Sequence, residues 1–242
     1  MAPLTRTFIW LIVFSIAMGL LESAVVVYLR ELYYPEGFKF PLMPIHKHII
    51  TTEFWREIAT IIMLLGVSIL AGKNTVQRFA YFLFCFALWD IFYYVFLFVL
   101  IGWPPSLMTW DILFLIPIPW VGPVLTPLLM TLLMITHSCM IVFFDLKGIK
   151  ARINLGEWVA LISGSLIVII SWIRDYYMYA SDNYPETSLW SLIYSDTLFE
   201  ASQQYTPQSF SWWIFSFGTL VISLAIASYF FRNRKQLKAT IR

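Results

Sequence analysis

Six long runs of apolar residues, each long enough to cross a bilayer as an α-helix, leave this chain few alternative folds. A helix rises about 1.5 Å per residue, so a hydrocarbon core about 30 Å thick needs roughly 20 apolar residues. Ordinary soluble domains carry about 25% charged residues, whereas this chain carries 12% and is 60% hydrophobic. The predicted spans are Thr7–Leu29, Ile49–Ala71, Phe79–Ile101, Val121–Phe144, Trp158–Arg174 with a possible extension to Tyr179, and Ser211–Phe231. The sequence therefore predicts an all-α, polytopic membrane bundle, with residues 1–242 forming a single transmembrane domain.

The segment before the fourth span is interrupted by proline. No formal charge occurs from Ile112 to Phe144, and this stretch is too long for one straight span. Prolines at 117, 119 and 123 interrupt its first part, because proline lacks the backbone donor and clashes with the preceding helical turn. We therefore predict that Trp110–Ile118 is a short interfacial or re-entrant segment and that the fourth helix begins after it.

The distribution of lysine and arginine predicts which side of the membrane each loop faces. No lysine or arginine occurs from Phe79 through Leu146, or from Asp175 through Phe231. Lysine and arginine near span ends are retained on the cytoplasmic side. The basic residues of the candidate cytoplasmic segments are Arg6, Lys73, Arg78, Lys147, Lys150, Arg152, Arg232, Arg234, Lys235, Lys238 and Arg242. This distribution predicts a protein of the inner (cytoplasmic) membrane with both termini in the cytoplasm.

Several charged residues fall inside the spans or at their outer ends. A charge at mid-bilayer costs about 2.5–3.5 kcal/mol on insertion scales, so such residues usually face a bundle interior or water. They are Glu22, Glu53, Arg56, Glu57, Asp90, Arg174 and Asp175, with Arg30, Glu31 and Asp111 at the same rim. Glu53 and Glu57 share one helical stripe, and Tyr93 and Tyr94 flank Asp90, which a phenol is expected to hydrogen-bond. We predict an outward-facing pocket, walled by the first, second, third and fifth helices, that binds or moves a small cation or protons.

Three alternatives remain open for these charges. They could serve an intramembrane enzyme as metal ligands or as general acid and base, although no Glu-x-x-His pair typical of di-iron bundles occurs. They could bind partner helices in a non-catalytic subunit of a larger membrane complex. Arg56 and Arg174 could also simply neutralise the acids in structural ion pairs.

The fourth span carries a second candidate site. Met130, Met134 and His137 lie within about 60° of one another at 100° per residue, and thioether with imidazole suits monovalent copper. Methionine also fills gaps in ordinary cores. A transmembrane haem usually needs two axial ligands on facing helices, so a single histidine within the spans argues against haem.

The remaining expectations concern partners. The net charge of +2 and the lack of a basic arm argue against nucleic acid, which leaves the lipid bilayer and other membrane subunits. Ser188–Ala201 alternates polar and bulky residues, and we predict that it lies along the membrane surface.

Overall fold

Six long helices carry most of the chain. The computed structural model describes residues 3–43, 45–115, 118–149, 151–184 and 204–241. The helices are α1 (Pro3–Tyr33), α2 (Lys47–Ala71), α3 (Thr75–Ile101), α4 (Leu125–Leu146), α5 (Leu155–Asn183) and α6 (Trp212–Ile241). All six are long and apolar enough to cross a membrane. The prediction of six apolar helices is confirmed, whereas the predicted surface segment Ser188–Ala201 lies outside the described residues.

Several helices run beyond their predicted spans, because hydropathy marks only the part of a helix that suits hydrocarbon. The first residues of α5 illustrate this: the Asn154 side chain accepts from the Glu157 backbone, and the Glu157 side chain accepts from the Asn154 backbone. This reciprocal cap satisfies two backbone donors and starts the helix three residues before the predicted span. At its other end α5 continues to Asn183, nine residues beyond Arg174.

A short antiparallel hairpin precedes α4 and is the one β element among the described residues of an otherwise helical fold. Strand β1 (Trp110–Phe114) pairs with β2 (Trp120–Pro123), and the register shifts between Ile112 and Phe114. The predicted short segment Trp110–Ile118 is therefore largely a strand. Aromatic and β-branched residues favour strands, and pairing satisfies backbone groups that proline keeps out of a helix. The interfacial or re-entrant position of this segment in the membrane stays a prediction.

Glycine residues bring the helices close together at two crossings. A Cβ added to Gly19 of α1 would lie 2.8 Å from the Cβ of Phe92 in α3, and Ser23 of α1 donates to the Tyr93 carbonyl at 2.9 Å. On α5 and α6, a Cβ added to Gly218 would lie 2.9 Å from the carbonyl oxygen of Gly164. Small residues allow backbones in a membrane to approach in this way. Gly218 thus packs within the chain, against α5.

The two largest apolar cores among the described residues follow from this packing. The larger core lies among α1, α3, α4 and the second half of α6, and includes Tyr81, Ile141 and Tyr229. A smaller core joins α5 to α6 around Trp172 and Ile222. The α5–α6 pair is connected to α4 by a hydrogen bond, since the Trp172 indole donates to the Thr126 hydroxyl at 2.8 Å. The helix α2 packs mainly on α3.

Candidate functional site

Arg56 links two helices through two carboxylates. Its Nε donates to Oε2 of Glu53, three residues earlier on α2, at 2.7 Å, and its Nη1 forms an ion pair with Oε2 of Glu22 on α1. The three side chains are between 12% and 21% exposed, so these charges are largely removed from the surface. The structure therefore brings together three of the predicted site residues.

Glu57 connects this group to the hairpin. It lies one turn beyond Glu53, is 8% exposed, and its Oε2 accepts from the backbone N–H of Leu115 at 3.1 Å. Glu22, Glu53 and Arg56 are all close enough to act on it electrostatically. The residue that follows β1 is thus held against α2 by a buried carboxyl group.

Asp90 and Asp111 extend the group towards α3 and β1. Asp90 has Glu22 and Asp111 as electrostatic neighbours. Asp111, only 2% exposed, accepts from the Tyr94 hydroxyl at 3.2 Å and pairs with Nη2 of Arg30 at 3.5 Å. Tyr94, one of the two tyrosines considered as donors to Asp90, therefore donates to Asp111. We call the whole set the acidic cluster: Glu22, Arg30, Glu53, Arg56, Glu57, Asp90 and Asp111.

Arg30 is held by aromatic rings as well as by Asp111. Its Cζ lies 3.7 Å from the ring centroid of Trp103 and 4.6 Å from that of Phe38. A guanidinium over an aromatic face gains about 0.5–2 kcal/mol, more where water is excluded. From the sequence alone, Arg30 and Asp111 are expected only at the rim of the pocket. One signal could have found Asp111, since no other charged residue occurs between Asp90 and Asp145.

Asp111 makes the cluster sensitive to pH. Burial raises the pKa of Asp111 to about 6, although Arg30, Tyr94 and the Ile112 amide favour the charged form. Because the folded-state pKa lies above the unfolded value of about 3.9, protonation favours the folded state. The stabilisation is complete below about pH 4 and is lost as the pH rises through about 6.

We therefore expect an Asp111→Asn variant to lose part of the pH dependence of stability. Between about pH 7 and pH 4, the parent protein should gain melting temperature relative to Asp111→Asn, since the amide cannot take up a proton. Thermal unfolding in detergent at a series of pH values measures the difference. Glu36→Gln, which changes a carboxyl group that is 86% exposed, is the control and should follow the parent. Parallel curves for the parent and Asp111→Asn would contradict the assignment.

Arg174 and Asp175 bind a different part of the chain. Nη1 of Arg174 donates to the Ser211 hydroxyl at 3.2 Å. Asp175 accepts from the Tyr205 hydroxyl at 2.7 Å and from the backbone N–H groups of Gln208 and Ser209 at 3.1 and 3.2 Å. These two residues shape the segment that leads into α6. The two charged residues of α5 that we predicted to line the pocket therefore form hydrogen bonds to the segment before α6.

Met130, Met134 and His137 line one cavity between α3, α4, α5 and α6, as their spacing on α4 predicts. The hydroxyl of Thr219 approaches the sulfur of Met130 at 4.0 Å. Among the described residues, no three His, Cys, Asp or Glu side chains gather closely enough to hold a metal ion. A metal on α4 would therefore depend on the methionines.

Comparison with known proteins gives no relative: no family model, no curated protein and no solved structure matches this chain. The six apolar helices place it in the class of multi-pass helical membrane proteins. The acidic cluster between α1, α2, α3 and the hairpin is the candidate functional site of the described residues.

Proposed function

We propose that the protein takes up protons or a small cation into the acidic cluster from the outer side of the inner membrane, with both termini in the cytoplasm. One observation carries this proposal. The cluster contains five carboxyl groups but only two guanidinium groups, Arg30 and Arg56, and most of these side chains are buried or nearly so. Unpaired carboxylates in such surroundings are costly, so the excess favours binding of positive charge.

The arrangement supports protons as the preferred charge. Glu22 neighbours Asp90, and Asp90 neighbours Asp111, so the acids follow one another across α1, α3 and β1. A bound cation needs oxygens that converge on one point, whereas a proton needs only successive acidic groups. Asp90 interacts electrostatically with both of the other acids, so transfer along the series is expected to depend on it.

The hairpin supports this use by closing the cluster at one end. It contributes Asp111 from β1 and the Leu115 amide that binds Glu57. A closed, poorly hydrated cluster raises the proton affinity of its acids, which is the property that uptake near neutral pH requires.

Proton uptake into proteoliposomes tests the proposal. Purified protein is reconstituted with a pH-sensitive dye inside, the membrane potential is clamped, and the outside is acidified. We expect the initial rate to exceed that of protein-free liposomes and to fall by about an order of magnitude in Asp90→Asn, because the amide keeps the size but loses the titrating group.

The matched control is Glu36→Gln, which neutralises an exposed carboxyl group outside the cluster and should leave the rate unchanged. Uptake no faster than in empty liposomes, or equal rates in the parent and Asp90→Asn, would refute proton uptake through the cluster. A rate that depends on added sodium or potassium would instead identify the cation.

A further inference from the structure

A cavity of about 330 Å³ lies among α3, α4, α5 and α6, away from the acidic cluster. Its lining is mainly apolar and includes Phe79 and Leu83 of α3 and Ile222 of α6. Ile162 and Leu166 of α5 also line it, and each is 55% exposed. The cavity therefore opens between helices on the apolar outer surface of the bundle, where a molecule dissolved in the bilayer can enter.

His137 is the most deeply buried polar side chain in this lining. It is 2% exposed, and neither ring nitrogen hydrogen-bonds to another group in the part of the chain that the structure describes. Its ring packs edge-on against Tyr229, with 5.1 Å between centroids, and faces Phe79 at 6.4 Å. A neutral imidazole carries one donor and one acceptor, and leaving both unpaired in an apolar interior is costly. A bound polar atom would remove this cost.

The size of the cavity distinguishes between possible ligands. Cavities of about 300–1,000 Å³ hold organic molecules, and a single copper ion beside Met134 and His137 would occupy only a small part of this volume. A lipid acyl chain fills such a space but offers His137 no hydrogen bond. The ligand must therefore combine an apolar body with a hydrogen-bonding atom.

Aromatic side chains next to His137 favour a flat ring. The rings of Phe79 and Trp158 lie 4.9 Å apart and are inclined by 57°. Aromatic rings prefer offset or edge-to-face contacts with other aromatic rings, so these two side chains favour a ring as their neighbour. Ser165, on the exposed side of α5, provides a hydroxyl group at the mouth of the cavity.

We propose that this cavity binds a lipid-soluble ring compound with carbonyl oxygens, the chemistry of a quinone, with an imidazole N–H of His137 donating to one carbonyl. The apolar tail of the bound compound extends out of the cavity between Ile162 and Leu166 and lies in the bilayer. The site is independent of the acidic cluster and adds a binding activity to the one proposed above.

Equilibrium binding of decylubiquinone to the full-length protein in detergent tests the proposal. We expect saturable binding of one molecule, weakened at least tenfold in His137→Leu, since leucine fills a similar volume without either nitrogen. His48→Leu, the same change at an exposed histidine of α2, is the control and should bind like the parent. Ser165 is exposed, so a larger side chain can be accommodated there. The Ser165→Trp variant narrows the mouth of the cavity and should also reduce binding.

Three outcomes would overturn the proposal. The first is the absence of saturable binding by the parent protein, and the second is unchanged binding in both His137→Leu and Ser165→Trp variants whose melting matches the parent. The third comes from a titration with Cu(I) against a competing chelator. Tight Cu(I) binding that is lost in Met134→Leu and prevents decylubiquinone binding would assign the site to the metal instead.

Discussion

Replacing Arg56 with glutamine should lower the free energy of unfolding by about 3–5 kcal/mol, the usual cost of leaving one partner of a buried ion pair without its counter-charge. Glu22 and Glu53 would keep their negative charges on side chains that are only 12% and 14% exposed. The ion pair also joins α1 to α2, which otherwise packs mainly on α3. Denaturant titration in a fixed detergent measures the loss, and acidification should reduce it, because protonated glutamates no longer repel each other.

Two comparisons make this result specific to the acidic cluster. Lys39→Gln breaks the pair with Glu36, whose side chains are 67% and 86% exposed, and should change stability by less than about 1 kcal/mol. The double variant Glu22→Gln, Arg56→Gln should recover part of the loss, since one unpaired carboxylate disappears. An Arg56→Gln protein as stable as its parent would show that the cluster holds its charges without help from this arginine.

Gly218→Ala should destabilise the protein by about 1–3 kcal/mol, as overpacking of a well-packed interface does. The added Cβ would lie 2.9 Å from the Gly164 carbonyl oxygen and 2.9 Å from the backbone nitrogen of Val168. Backbone atoms cannot turn away as a side chain can, so α5 and α6 would have to separate along their crossing. Thermal unfolding in detergent measures the effect.

Gly66→Ala provides the matched control for this substitution. It lies inside α2, and a Cβ added there would meet nothing within 4 Å. Alanine is favoured over glycine in helix interiors by about 1 kcal/mol in water, so the melting temperature should stay the same or rise. Equal losses in Gly66→Ala and Gly218→Ala would mean that the close α5–α6 crossing does not limit stability.

The sequence predicted the helices well because one local quantity, the length of an apolar run, decides whether a segment can cross a bilayer. It missed the hairpin because strand pairing depends on which backbone groups meet, and hydropathy does not record this. Helix ends were also placed too early, as at α5, where the helix continues from Arg174 to Asn183 through residues that suit water or the membrane interface.

The candidate site could be predicted only in part, because some of its contacts lie within one helix and others depend on which helices are neighbours. Glu53, Arg56 and Glu57 share a helical face, so helical periodicity alone places them together. Whether Glu22 or Arg174 joins them depends on which helices are neighbours. The structure pairs Glu22 with Arg56 and Arg174 with Ser211. The Arg30–Asp111 pair depends likewise on how β1 lies against α1, which no repeat in the sequence reveals.

The order of the chain gives the packing of α5 and α6 a consequence for biogenesis. Every charged member of the acidic cluster, and the Leu115 amide, precedes the end of α6 by at least about 125 residues, which at about 5–20 residues per second takes the ribosome at least roughly 6–25 s to add. Helices α1 to α3 can therefore pair their charges while the second half is still being made. The crossing of α5 and α6 can form only after both helices have been made, and this pair packs on α4 and β2. We therefore expect a defect at Gly218 to act late, after α1 to α3 have had time to pair their charges.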